Sequence, residues 1–200
     1  MVFKERINMI EVPEALPIRG NRLTRFLGRA QMAMMGWRFA GELPDLPKMV
    51  LILAPHTSNM DFIVGLAPLF ALGLRLSFMA KSQLFWEPFG TYLRWLGSVP
   101  IDRSAPGGVV RQAVRQFEGN DKFLLVITPE GTRTKVKQWK TGFYVIAKHA
   151  EVPILPLVFD YGQREVRFEE LLVPSGDLEK DLKILKSYYH PSQARNPNSF

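Results

Sequence analysis

Short unbroken apolar runs alternate along this chain with longer stretches whose apolar positions recur at helical spacing. The runs Met49 to Ala54, Leu76 to Ala80, Val99 to Ile101, Phe123 to Thr128 and Ile154 to Phe159 predict strands. The first, aliphatic and ended by Pro55, suits a buried parallel strand. Ser58 to Leu72, Phe89 to Leu96, Gly107 to Phe117, Gly142 to His149 and Leu178 to Tyr188 predict helices between and after them. This alternation predicts an α/β fold, a single domain with a mostly parallel central sheet flanked by helices.

Ahead of the first strand the pattern changes. From Asn21 to Ala40, Arg22, Arg25 and Arg29 fall at helical spacing. Leu23, Leu27, Ala30, Met34 and Trp37 make an opposite stripe, enlarged by Phe26, Met35 and Phe39. The pattern is that of a basic amphipathic helix, whose apolar face suits either a membrane interface or the domain's own core. Gly41 to Pro47 is a turn-rich linker. The organisation expected is therefore an N-terminal segment, 1–47, then a domain over 48–189. The tail 190–200, rich in Pro, Asn and Ser, is expected to be disordered.

Composition narrows the class. The 200 residues are 46% hydrophobic and 22% charged, as for a globular domain with a sizeable core. The absence of cysteine excludes a disulfide scaffold, a thiolate nucleophile and a sulfur-ligated zinc site. The three histidines are scattered without His-Glu-x-x-His spacing, so no metal and no cofactor is expected. No secretory signal is evident at the N-terminus, and no apolar run reaches the ~18 residues of a spanning helix. A formal net charge of +7 favours polyanionic partners, whether anionic lipid, nucleic acid or phosphorylated substrate.

The chemistry-bearing stretch is Pro55-His56-Thr57-Ser58-Asn59-Met60-Asp61, at the C-terminal end of the first predicted strand. A loop histidine and a first-turn aspartate can pair as a general base and its orienting carboxylate. The same residues also fit a simple helix start, with Ser58 and Asp61 as a capping box. Gly97 to Arg103, Pro129 to Thr134 and Val152 to Leu157 complete a set with His56 and Asp61. In order and spacing this set resembles the four sequence blocks of the glycerolipid acyltransferases, typified by 1-acylglycerol-3-phosphate acyltransferases. The likeness extends from about Val50 to Val158, with Ala80-Lys81-Ser82 and Lys140-Thr141-Gly142-Phe143 as connecting stretches. Pro55, Pro100 and Thr128 depart from it, standing where many members have Asn, Phe and Phe.

The resemblance implies transfer of a fatty acyl group from a thioester, acyl-CoA or acyl carrier protein, to a hydroxyl of a lysophospholipid. The best-matching acceptor is 1-acylglycerol-3-phosphate, and the product phosphatidate. His56 and Asp61 are then catalytic. Lys81, Arg103, Glu130, Gly131, Thr132 and Arg133 are the expected substrate-binding residues, the arginines being suited to phosphate. No acyl-enzyme is expected, since Gly-x-Ser-x-Gly is absent. Backbone N–H groups near Pro129-Glu130-Gly131 are candidates for holding the oxyanion. Lipid chemistry favours the membrane for the N-terminal helix and a peripheral place on the cytoplasmic side, with an anionic membrane surface as partner and no nucleic acid.

Blander assignments compete at single residues. Arg103 can pair with Asp102, Glu130 can be a solvated turn carboxylate, and Thr132 can cap the turn. At the level of function, a basic binding module with Phe85, Trp86, Tyr92 and Trp95 as stacking platforms is an alternative. So is a hydrolase, or an acyltransferase for another lysolipid or amino-lipid.

Overall fold

The computed structural model describes residues 8–58, 60–102, 104, 108–132 and 134–199. Among these, seven strands form one sheet. They are β1 (Arg38–Ala40), β2 (Lys48–Ala54), β3 (Leu76–Lys81), β4 (Ser98–Ile101), β5 (Phe123–Ile127), β6 (Ile154–Asp160) and β7 (Glu165–Phe168), in the order β1-β7-β6-β2-β5-β3-β4. The helices are α1 (Arg22–Met35), α2 (Met60–Leu72), α3 (Phe89–Trp95), α4 (Gly108–Glu118), α5 (Gly142–His149) and α6 (Leu178–Ser187).

Strands β2 to β6 are parallel, as their apolar runs predict, and β2 lies at the centre between β5 and β6. At one edge β7 turns back antiparallel to β6, and β1 pairs parallel to β7. The steps β2 to β3 and β3 to β4 run the same way along the sheet, so right-handed crossovers put α2 and α3 on one face. The return steps put α4 and α5 on the other. Two buried clusters agree with this: Met32 of α1 and Val64, Ala67 and Ala71 of α2 share one, Ala113 and Phe117 of α4 and Phe143 and Ile146 of α5 the other.

The N-terminal helix is shorter than its pattern suggests, and its segment is not separate from the sheet. Asn21 caps α1, its side chain accepting from the Thr24 N–H at 3.0 Å while Thr24 Oγ1 accepts from the Asn21 N–H at 2.9 Å. Gly36, left-handed at φ 72°, ends it. Trp37 and Phe39 therefore leave the helical stripe and enter the core, Phe39 as part of β1. The remaining stripe faces outward: Leu23, Phe26, Leu27 and Met34 are exposed, Met34 by 85%. Arg25 and Arg29 of the basic side turn inward, while Arg22 stays exposed. Arg29 Nε donates to Ala71 O at 3.3 Å, at the electronegative end of α2, and the Arg25 guanidinium lies against Gly73. Among the described residues no helix is long and apolar enough to cross a membrane.

Gly28 is where α1 meets α2. A Cβ there would lie 2.8 Å from the Ala67 carbonyl oxygen and equally near the Phe70 backbone, inside van der Waals contact with atoms that cannot rotate away. Gly28→Ala gains about 1 kcal/mol of helix propensity, but overpacking costs about 1–3 kcal/mol and is at the high end against backbone. The expected result is net destabilisation, seen as a drop in Tm of about 2–4 °C per kcal/mol lost. A Tm equal to or above wild type would mean that the helices do not approach this closely.

The tail does not behave as its composition suggests. Residues 191–193 and 197–199 form short 3-10 turns. Gln193 O accepts from the Tyr161 N–H at 2.9 Å, and Asn196 binds Thr57 twice, Nδ2 to the carbonyl at 3.0 Å and N–H to Oγ1 at 3.2 Å. Long-range hydrogen bonds that composition cannot reveal thus order the segment expected to be disordered.

Candidate active site

The C-terminal ends of β2, β5 and β6 gather the candidate residues, the edge at which open α/β sheets build sites. The β2 run stops at Ala54, and Pro55 and His56 continue into the loop that starts α2. His56 Nδ1 lies 3.2 Å from Asp61 Oδ2, an ion-pair distance, but off the line of a well-aligned hydrogen bond. Such contacts commonly tighten when substrate arrives.

Asp61 is buried and densely bonded. Its Oδ2 accepts the Thr57 and Ser58 N–H groups, both at 2.8 Å, and its Oδ1 accepts the Tyr161 hydroxyl at 2.6 Å. The two readings of this stretch therefore coincide, because one carboxylate closes the helix start and also faces the imidazole. Burial pushes the Asp61 carboxyl up, but the facing His56 imidazole and hydrogen bonds from Tyr161 and Ser58 outweigh it and hold the group below the ordinary range. Burial and the neighbouring carboxylate push the Tyr161 phenol well above its usual value, so it remains a donor.

Glu130 is already engaged within the protein. Both of its oxygens accept the His56 backbone N–H, at 3.2 and 3.0 Å, and the residue is buried. Sequence suggests a substrate contact; the structure shows in addition a brace between the β5 edge and the histidine loop. Burial pushes its carboxyl up to about 7, with Asp61's charge adding and His56's N–H and charge opposing. The unfolded chain titrates near 4.5. The folded state therefore holds the proton more tightly between these values, and stability from this group falls as pH rises through the window, by at most about 1.4 kcal/mol per pH unit. Denaturant titrations across it should show that slope in wild type and its loss in Glu130→Gln; equal slopes would place Glu130 in a solvated setting.

The other expected residues divide. Lys81 ends β3 at the same edge, exposed. Gly131, at φ 64°, and Thr132 line the cavity described below, with Thr132 Oγ1 3.2 Å from Thr134 Oγ1. Arg103 and Arg133 lie outside the described residues. The Gly131 N–H donates to Thr128 O at 3.1 Å, so this amide closes its own turn and is not a spare oxyanion donor. Among the described residues no three His, Asp or Glu converge as metal ligands.

Beneath His56 and Asp61 opens a cavity of about 810 Å³. Its walls are overwhelmingly apolar, with Leu66, Leu69 and Leu72 of α2 facing Phe78 and Leu76 of β3. It reaches from the edge that holds His56 and Asp61 to Leu74 and Leu76 at the start of β3, about 17 Å by strand rise. Lys140 stands at the mouth, its side chain lying across Gly131.

Sequence reasoning missed Tyr161, Asn196 and Lys140 as members of this constellation. Tyr161 carries a signal, since it follows β6 at the site-bearing edge. Asn196 carries none, and Lys140 is visible only as part of a connecting stretch.

A His–Asp pair thus stands at the strand ends of an α/β sheet, over an apolar cavity. Comparison with known proteins gives the class. The Acyltransferase family model matches residues 41–160, and the chain belongs to that family. It is 26% identical over 152 residues to a 1-acyl-sn-glycerol-3-phosphate acyltransferase of Streptococcus pneumoniae, covering 71% of this chain and 56% of that protein. It is 24% identical over 190 residues to that of Haemophilus influenzae, covering 84% and 77%. The crystal structure of the 1-acyl-sn-glycerophosphate (LPA) acyltransferase PlsC from Thermotoga maritima superposes with a TM-score of 0.60 at 21% identity, covering 84% of this chain and 75% of that one. The chain spans about half the length of the first relatives it matches.

Proposed function

We propose that this chain transfers a fatty acyl group from a thioester donor to the hydroxyl of a lysophospholipid, with 1-acylglycerol-3-phosphate as acceptor and phosphatidate as product. The observation that carries this is the His56–Asp61 pair opening on an apolar cavity about 17 Å deep by strand rise. Asp61 faces Nδ1, leaving Nε2 to take the acceptor's hydroxyl proton. The alkoxide attacks the thioester carbonyl, the C–O bond forms, the C–S bond breaks, and the imidazolium returns its proton to the departing thiolate. No nucleophilic side chain is needed. The cavity takes the fatty chain, each buried methylene contributing about 0.8 kcal/mol.

Thr132 and Gly131 of the cavity lining, Lys81 at the end of β3, and Arg103 and Arg133 receive the acceptor's glycerol phosphate in this reading, and Lys140 adds a further cation. Family resemblance supports the acceptor; it leaves acyl-CoA and acyl carrier protein equally suited as donor. The outward apolar face of α1 supports a peripheral place on a membrane; the cytoplasmic side belongs to this reading through the resemblance alone.

The test is incubation of the purified chain with radiolabelled acyl-CoA or acyl carrier protein and a panel of lysolipids, with the lipid products resolved. Labelled phosphatidate from 1-acylglycerol-3-phosphate is the expected product. A different acylated lipid would reassign the acceptor, and free fatty acid alone would make the protein a hydrolase.

A further inference from the structure

Helix α3 and the turn before it carry a ladder of exposed rings. Trp86, Phe89, Tyr92 and Trp95 recur every third residue along one side, with successive centroids 5.7, 6.4 and 6.1 Å apart. All four are exposed, Trp86 by 62%. Monomer surfaces seldom present large apolar side chains in a contiguous row, and such rows mark interaction sites. The ladder does not end at Trp95, because the Arg19 guanidinium stacks over that ring at 4.2 Å. Arg19 precedes α1 directly, beside the exposed Ile18, and α1 continues the surface with Leu23 and Leu27.

The basic groups at this junction are short of anions. Arg19 donates its backbone N–H to Gly73 O at 2.7 Å, and the Arg25 guanidinium lies against the same glycine. Arg19 Nη2 and Arg25 Nε are both buried and find no hydrogen-bond acceptor among the described residues. Arg75, two residues from Gly73, adds a third positive charge close enough, together with burial, to lower the pKa of Arg19. Neither guanidinium forms an ion pair among the described residues. Unsatisfied guanidinium donors beside flat aromatic rings fit a phosphate held at an apolar boundary.

We infer that the strip from Trp86 along α3 to Trp95, across Arg19 and Ile18 and onto the outer face of α1, rests on an anionic phospholipid surface, Arg19 and Arg25 receiving headgroup phosphate. Crossover handedness puts α3 on the face of the sheet that carries α2, and α1 packs on α2 through Gly28 and Met32, so α1 and α3 share a face, as one flat partner requires. The rings enter the headgroup region as interfacial aromatics do, and the arginines supply attraction to anionic lipid. The choice of lipid as partner rests on the proposed function. The binding itself is measurable without any acyl donor, so the two readings fail separately.

The experiment is sedimentation of the full chain with vesicles of phosphatidylcholine alone and of an equal mixture of phosphatidylcholine and phosphatidylglycerol. Wild type should favour the mixture. The double variant Trp86→Ala, Tyr92→Ala should bind both compositions about tenfold more weakly. Arg19→Gln should lose about fivefold on the mixture, with little change on phosphatidylcholine. Val173→Ser, an exposed apolar site beside the opposite core cluster, should bind like wild type. Circular dichroism confirms folding, and wild-type tryptophan fluorescence quenched by brominated lipid reports ring insertion without any substitution. Unquenched tryptophan, or a folded double variant that binds as wild type, overturns the assignment. Preference for a single-stranded oligonucleotide over the anionic vesicles, lost in the same variants, would make the ladder a base-stacking platform instead.

Discussion

His56→Ala lowers kcat for acyl transfer by about 10²–10⁴, the range contributed by a positioned general base, while leaving the fold intact. The separation follows from how the residue is held. Its side chain contacts the site, whereas its main chain is fixed by Glu130, and alanine keeps that N–H. KM for the donor should change little, since the cavity walls that take the fatty chain are untouched. The check is steady-state kinetics beside a thermal melt. Full activity in a folded His56→Ala protein would remove the histidine from the chemistry and leave the cavity as a binding site only.

Asp61→Asn should damage both chemistry and folding, and for separable reasons. Oδ2 faces the Thr57 and Ser58 amides and His56, so an asparagine must keep its oxygen there and turn its NH₂ toward Tyr161. The tyrosine hydroxyl can rotate to accept, but the charge opposite the imidazolium is gone. We expect kcat to fall by about 10²–10⁴, as for loss of an orienting carboxylate, and stability by about 1–3 kcal/mol for the charge-assisted bonds. The pH dependence gives a second signature. Because the folded carboxyl titrates below its ordinary value, wild type gains stability above the unfolded value of 3.8 and loses it as pH falls through the folded one. The variant lacks this acid-side loss. Reduced stability with kcat preserved in the folded fraction would leave Asp61 as a helix-start residue alone.

How much of this is legible in sequence depends on how local each determinant is. The parallel strands β2 to β6 announce themselves because an apolar run bounded by turns needs no partner to be seen. β1 and β7 do not, since Arg38–Ala40 and Glu165–Phe168 are short and become strands by pairing with each other and with β6. The end of α1 has a local signal in Gly36, overridden by an apolar stripe that continues into Trp37 and Phe39. The His–Asp pair is readable from its spacing, but Glu130's attachment to the His56 backbone spans 74 positions and leaves no trace in pattern. The outward face of α1 is likewise invisible to periodicity, which shows that a helix has two sides and not which one meets the protein.

The contact between Asn196 and Thr57 closes a separation of 139 positions. In a chain made at about 5–20 residues per second, the histidine loop waits about 7–28 s for the segment that clasps it. The sheet around β2 can begin to assemble while the loop beside it is still unclasped. The clasp beside His56 is then completed only after residue 196 has been made, and a ribosome stalled before that point would hold a nascent chain whose histidine loop lacks this partner.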